Sequence, residues 1–173
     1  MNEILEILKY TLPALITGAT AYYVTDRVLS RSEKERMDKM RLEAKRSGDP
    51  LRLQAIERLT LLCERISPQN LAIRIPSAGA TSAMYHAELL KSIRSEFDHN
   101  ITQQVYVNQQ SWEAVKNARE ETIKLINYAY SEIGPNAKGT DLAQIILEMT
   151  MKIEKLPTDI AVYLLREEAR HIL

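Results

Sequence analysis

The chain has 173 residues, of which 45% are apolar and 27% are charged. This is the composition of a globular protein, and it is too apolar for a disordered chain. The 23 basic and 23 acidic residues give zero net charge, which offers no overall attraction for nucleic acid, and the single cysteine, Cys63, excludes an intrachain disulfide and a zinc site built on cysteines.

The first feature along the chain is an apolar stretch over residues 4–24. No charged residue occurs between Tyr10 and Val24. As a helix, residues 4–24 span about 31 Å, and the hydrocarbon core of a bilayer is about 30 Å thick. We therefore predict that residues 1–25 are a single-pass membrane anchor that contacts lipid through residues 4–24. A cleaved signal peptide and a buried helix of a soluble domain are the alternatives.

The charges that flank this stretch predict its orientation. No Lys or Arg precedes residue 4. Eight basic residues follow the stretch within about 20 residues. They are Arg27, Arg31, Lys34, Arg36, Lys39, Arg41, Lys45 and Arg46. Positive charge marks the cytoplasmic side of a membrane span. The N-terminus is therefore expected outside and the rest of the chain in the cytoplasm.

Residues 26–49 carry dense charge of both signs with few apolar residues, which predicts a charged helical stalk. A weak coiled-coil seam that joins copies of the chain, or a contact with lipid headgroups, is the alternative. Gly48, Asp49 and Pro50 predict the end of this helix and the start of the next, because they suit the C′, N-cap and N1 positions.

Residues 50–173 are predicted to form a cytoplasmic helical domain. Apolar residues at helical spacing, with Ser82, Asn108 and Thr158 as caps, predict five helices, at about residues 50–66, 82–102, 109–133, 140–156 and 158–172. Ile153, Ile160 and Tyr163 are expected to face the core. The alternation over residues 71–75 allows one minor two-stranded β element with residues 105–107. The predicted fold class is all-α, an N-terminal transmembrane and stalk helix followed by a bundle of about five helices.

Several segments resemble an uncharacterised bacterial family of short helical proteins with an N-terminal membrane anchor. They are PLRLQA (50–55), ERL (57–59), ERISP (64–68), EFDHN (96–100) and QQVYV (103–107), with Trp112. The resemblance covers roughly residues 1–130. It implies a helical fold anchored in the bacterial inner membrane, and it implies no catalytic residue because the family carries no assigned activity.

Two Glu-x-x-His pairs suggest one alternative function. Glu96 with His99, and Glu168 with His171, each share a helix face at i,i+3 spacing. Ferritin-like metal sites in helical bundles use two such pairs together with further carboxylates. The alternative is thus a helical metal-dependent enzyme. Against it, the second pair lies in the last six residues of the chain, where a helix frays, and solvated or hydrogen-bonded surface histidines are the favoured explanation of both pairs.

An amide-rich block around residues 98–110 suggests a protein-docking loop. Its candidate contact residues are Tyr106, Trp112, Gln103 and Gln104, since aromatic side chains dominate protein interfaces. The alternative is a helix–helix corner in which the amides satisfy backbone groups and Trp112 lies in the core.

The sequence contains no Gly-x-Ser-x-Gly element, P-loop or dinucleotide fingerprint. No cofactor is therefore expected. The predicted function is a membrane-anchored adaptor or accessory subunit that acts through contacts with a protein partner or by self-association.

Overall fold

The computed structural model describes the backbone of residues 2–173 and the side chains of residues 15–18, 20–29, 31, 33–34, 36–37, 39–40, 43 and 48–173. Over this part the chain is helical. The elements are α1 (Asn2–Ile66), α2 (Pro68–Arg74), α3 (Ser82–Asn100), a 3₁₀ turn (Ile101–Val105), α4 (Gln109–Ile133), α5 (Gly139–Met151) and α6 (Pro157–Arg170). The predicted all-α class is confirmed.

The chain divides into two compact units, Met1–Gly48 and Asp49–Leu173. The N-terminal unit is the first part of α1. The C-terminal unit has one hydrophobic core, to which the last turns of α1 and all later α-helices contribute. Its fully enclosed side chains include Leu59, Leu89, Ile126, Leu142 and Leu165.

Side-chain caps explain where the helices of the C-terminal unit begin. Asn108 Oδ1 accepts a hydrogen bond from the Ser111 N–H at 2.8 Å, so α4 starts where the sequence predicts. The cap of α3 is Thr81 rather than Ser82, because Thr81 Oγ1 accepts from the Met84 N–H while Ser82 Oγ donates to the Gly134 carbonyl. The cap of α6 is Leu156 rather than Thr158, and its N–H donates to the Asp159 carboxylate.

Gly139 marks a close approach between two loops. Its N–H donates to the Ala80 carbonyl at 2.9 Å, and a Cβ added at this residue would lie 2.7 Å from the Ser77 carbonyl oxygen. The Ser82 N–H donates to the Ala137 carbonyl beside it. Only glycine lets the backbone before α5 approach the loop before α3 so closely.

The predicted helix end at Gly48 is wrong, because α1 continues to Ile66. Gly48 does not adopt the left-handed conformation of a C′ glycine. Pro50 removes one backbone hydrogen bond from the helix, but the residues on either side of it remain helical and Pro50 is exposed.

The predicted β element is also wrong, and no strand occurs in residues 2–173. Residues 68–74 form α2, with Pro68 at its first position and Ser67 Oγ as its cap. Leu71 and Ile75 are buried while Ile73 is 78% exposed. This is the i,i+4 spacing of a helix face, which a short alternating run imitates. The predicted mate, residues 105–107, is not a strand either, because Val105 ends the 3₁₀ turn (Ile101–Val105) and the next two residues form a turn and a bend.

The last two helices differ from the prediction in length and face. α5 ends at Met151, so Ile153 lies in the following loop and is 39% exposed. Ile160 and Tyr163 of α6 are exposed, because the helix turns Ala161, Val162, Leu165 and Glu168 inward instead. Assigning the inner face by the bulkiest side chains fails where a small residue such as Ala161 makes the contact.

Candidate functional site

The amide-rich block forms the connection between α3 and α4, and residues 98–112 are called the corner below. Asn100 Nδ2 donates to the Glu96 carbonyl at 2.8 Å, and Asn108 caps α4. These two amides satisfy backbone groups at helix ends, as the corner interpretation expects. Gln103 differs from these two amides, because its Nε2 atom makes a long contact of 3.5 Å with the Thr102 side-chain oxygen rather than with a backbone group.

Glu168 ties the corner to the rest of the C-terminal unit. Its Oε1 atom accepts the Asn108 N–H at 2.8 Å and pairs with the Arg52 guanidinium at 3.2 Å. Arg52 also donates from Nε to the Tyr106 carbonyl at 3.4 Å. The carboxylate is only 4% exposed, and its Oε2 atom is buried with no hydrogen-bond partner in the described structure. One side chain of α6 thus joins α1 to the corner.

The proposed docking residues differ in exposure. Tyr106 is 42% exposed and Gln104 is exposed, while Gln103 is half-buried. Trp112 is also half-buried, and its ring lies 5.5 Å from that of Phe97. The exposed apolar side chains at the corner are Ile101, Val105 and Tyr106, which are called the corner patch. Docking through the corner remains a prediction.

The structure gives the two Glu-x-x-His pairs different surroundings. Glu96 pairs with Arg65 at 2.8 Å, and His99 is exposed beside it. Glu168 is occupied by Arg52 and Asn108, and His171 is exposed at the end of α6. Among the described residues, no group of three or more His, Cys, Asp or Glu side chains is placed to hold a metal ion.

Sequence reasoning missed the role of Arg52 and assigned Glu168 to a different site. A signal existed for Glu168, which follows Ala161 by seven residues and Leu165 by three, and so shares their face of α6. A carboxylate on a buried helix face requires partners. Its partners are 60 residues away at Asn108 and 116 residues away at Arg52, which a local pattern does not reveal.

Cys63 is the buried residue that its place on an apolar helix face predicts. Burial, and then the nearby Glu64 carboxylate, raise the pKa of the Cys63 thiol to about 12. Because the thiolate is the nucleophile, this thiol is inert at neutral pH.

The N-terminal unit exposes a series of large apolar side chains. The exposed large apolar side chains described between residues 15 and 29 are each more than half exposed, and they are Leu15, Ile16, Tyr22, Tyr23, Val24, Val28 and Leu29. They are called the N-terminal apolar surface. The side chains of residues 4–14 of the predicted anchor lie outside the described residues. A search of the described residues finds no helix whose length and apolar character would suffice to cross a membrane.

Basic side chains follow this surface along the helix. Arg27, Arg31 and Lys34 border one shallow concavity with Val28. Arg27 also donates to the Tyr23 hydroxyl at 3.1 Å and lies 5.5 Å from the centre of its ring. The unit therefore combines an exposed apolar segment with an adjacent cationic one.

Comparison with known proteins gives one match. The model of a family of unknown function (DUF7935) matches residues 2–172. This confirms the expected resemblance to an uncharacterised family and extends it beyond residue 130. No curated protein and no solved structure matches the chain.

Proposed function

The chain belongs to the family of unknown function DUF7935, and we propose that it is a helical adaptor attached to a membrane through its N-terminal unit. The observation that carries this proposal is the N-terminal apolar surface. Large contiguous apolar patches on a protein surface mark sites where a membrane or a partner covers them. Lipid is the occupant that fits best, because the aromatic residues at positions 22 and 23 are followed from position 27 onward by Arg27, Arg31 and Lys34.

The charge pattern supports a particular orientation. Arg27, Arg31 and Lys34 recur at i, i+4 and i+7, so they lie along one side of the helix, where they can contact lipid phosphates. In this proposal the helix enters the inner membrane of a bacterium, the N-terminus lies outside, and the C-terminal unit lies in the cytoplasm.

The adaptor role rests on the corner patch. The Val105 side chain is 77% exposed. Its backbone belongs to the hydrogen-bonded 3₁₀ turn and is followed by Tyr106. Glu168 and Arg52 hold this part of the chain in place. An exposed apolar group on a positioned backbone suits recognition of a protein partner, because little conformational entropy is lost on binding.

Carbonate extraction of membranes from cells that produce the full chain tests the attachment. The wild-type protein is expected to stay with the membranes. A variant with Ile16→Asp, Tyr22→Asp and Val28→Asp is expected in the supernatant, while the matched C-terminal variant with Leu61→Asp, Ile73→Asp and Met84→Asp, also at exposed positions, stays with the membranes. Wild-type protein in the supernatant contradicts the proposal.

Thiol labelling tests the orientation. Because Cys63 is buried and its pKa is raised to about 12, a cysteine introduced by Asn2→Cys is the reactive thiol of the variant. A membrane-impermeant maleimide is expected to label it in spheroplasts. An Asn136→Cys variant, altered in an exposed loop of the C-terminal unit, is expected to be labelled only after lysis. The reverse pattern contradicts the orientation.

Affinity purification in mild detergent tests the adaptor role. A stoichiometric partner is expected with the wild-type chain and is expected to be lost with Val105→Asp. Tyr128→Asp is the control, since Tyr128 is 59% exposed on α4, away from the corner. A partner that both variants retain equally contradicts docking at the corner.

A further inference from the structure

A polar cavity of about 370 Å³ lies within the C-terminal unit, where four helix ends meet. These are the ends of α1 and α5 and the starts of α2 and α6. Its volume is within the range of about 300–1,000 Å³ that small-molecule sites occupy. The polar groups that line it include Glu64, Ser67, Asn70, Glu154, Thr158 and Asp159.

The lining carries negative charge that its own residues do not neutralise. Three carboxylates, from Glu64, Glu154 and Asp159, border the cavity, and no Lys, Arg or His is among the described residues that line it. The nearest cations in sequence are engaged elsewhere. Arg65 pairs with Glu96, and the Lys155 ammonium lies 5.4 Å from the centre of the Tyr163 ring.

The helix ends add to this polarity. The C-termini of α1 and α5 place the negative ends of two helix dipoles at the cavity. At the positive ends of α2 and α6, acceptors within the protein already bind backbone N–H groups. Ser67 Oγ accepts the Asn70 N–H, and the Asp159 carboxylate accepts the Leu156 N–H. The C-termini are satisfied in part too, since Asn70 Nδ2 donates to the Glu64 carbonyl at 2.7 Å. The preference for a cation over an anion therefore comes chiefly from the carboxylates that line the cavity.

Thr158 supplies an independent indication of a ligand. Its side chain is only 2% exposed, and its Oγ1 atom is buried without a hydrogen-bond partner in the described structure. A buried hydroxyl that lacks a partner costs about 1–3 kcal/mol. The Cys63 thiol in the same wall is a poor acceptor. A donor that enters the cavity would satisfy Thr158.

We propose that this cavity binds a small organic cation that carries a primary ammonium group. The ammonium donates to Thr158 Oγ1 and to the carboxylates of Glu154 and Glu64. A bare metal ion fits poorly, because the described residues hold no group of three His, Cys, Asp or Glu side chains placed to ligate one. An ammonium group needs no fixed coordination geometry, since its three donors rotate freely.

Calorimetric titration of the full-length protein in mild detergent with putrescine tests this site. Saturable binding with a stoichiometry of one is expected. Glycerol and inorganic phosphate serve as the neutral and anionic probes, and neither is expected to bind. Absence of putrescine binding at about 1 mM, a concentration that corresponds to a weak site, overturns the proposal, and so does equal binding of glycerol or phosphate.

Two variants locate the binding. Thr158→Val keeps the shape of the side chain and removes the hydroxyl, so it is expected to weaken putrescine binding about tenfold, or ~1.4 kcal/mol. The same variant is expected to leave the unliganded protein as stable as wild type or more stable, because the hydroxyl has no partner there. Unchanged binding in Thr158→Val overturns the assignment.

A matched pair of capping carboxylates separates binding from folding. Asp159 and Asp141 each accept the N–H of an N-cap residue, but only Asp159 lines the cavity. Asp159→Asn and Asp141→Asn are expected to lower stability to a similar extent, and only Asp159→Asn is expected to weaken putrescine binding. Equal loss of binding in both variants contradicts the site.

Discussion

The two units use apolar side chains in opposite ways. In the C-terminal unit, leucine and isoleucine at helical spacing are enclosed, as Leu59 and Ile126 are, with no exposed area. In the N-terminal unit, Leu15 is 72% exposed and Tyr22 is 77% exposed. The same side-chain chemistry therefore stabilises the fold in one unit, and in the other it forms the exposed surface that we propose attaches to a membrane. The residues of the hydrophobic core all lie after Asp49, although the C-terminal unit also exposes apolar side chains such as Ile73 and Val105.

The largest contrast is expected from one substitution made in both units. Leu59→Ala removes a fully enclosed side chain and is expected to lower the free energy of unfolding by about 2–5 kcal/mol. Leu29→Ala alters a side chain that is 56% exposed. This substitution is expected to change the free energy of unfolding by less than about 0.5 kcal/mol. Urea unfolding monitored by Trp112, which lies in the C-terminal unit, measures both. Equal losses of unfolding free energy in the two variants would contradict the distinction between the units.

Two glycines sharpen the contrast, because the expected effects have opposite signs. Gly139→Ala places a methyl group against the Ser77 carbonyl and is expected to cost about 1–3 kcal/mol. Gly48→Ala has open space around the new methyl group and is expected to raise helix stability by up to about 1 kcal/mol. Urea midpoints and circular dichroism measure these changes. Loss of helix in Gly48→Ala would instead indicate the capped helix end that the sequence predicts.

Glu168 offers a test of how the corner is held. Glu168→Gln removes the charge that pairs with Arg52 and is expected to cost about 1–2 kcal/mol, within the range for hydrogen bonds to charged groups. The neighbouring Glu167→Gln removes a more exposed pair with Arg170 and is expected to cost less than about 0.5 kcal/mol. Hydrogen exchange at the Asn108 amide is expected to rise only in Glu168→Gln. Unchanged exchange there would contradict the role assigned to Glu168.

The smallest expected effect concerns pH. Well below pH 9 the Cys63 thiol is protonated in both the folded and unfolded states, so it contributes no dependence on pH there. Between the ordinary thiol pKa of 9.0 and the folded pKa of about 12, the unfolded state loses the proton and the folded state keeps it. Stability therefore falls as pH rises, by about 1 kcal/mol between pH 9 and 10. Cys63→Ala is expected to lack this part of the slope, and an identical slope would contradict burial of the thiol.

The accuracy of the sequence-based prediction follows the range of the interactions involved. The start of α4 at Asn108 was predictable, because the cap bonds a residue only three positions away. The inner face of α6 was not, because its choice of Ala161 over Ile160 depends on packing against α4. The same limit applies to the candidate sites. The cavity near Thr158 gathers residues from positions 63 to 162, and no local motif brings them together.

The most direct test of the account places one fluorophore in each unit. Tyr23 and Tyr128 are 60% and 59% exposed, so Tyr23→Trp and Tyr128→Trp, each combined with Trp112→Phe, give matched single-tryptophan chains. On addition of vesicles that contain anionic lipid, the emission of the Tyr23→Trp chain is expected to shift to the blue, and that of the Tyr128→Trp chain is expected to stay unchanged. No shift at position 23, or the same shift at both positions, would contradict membrane attachment through the N-terminal unit.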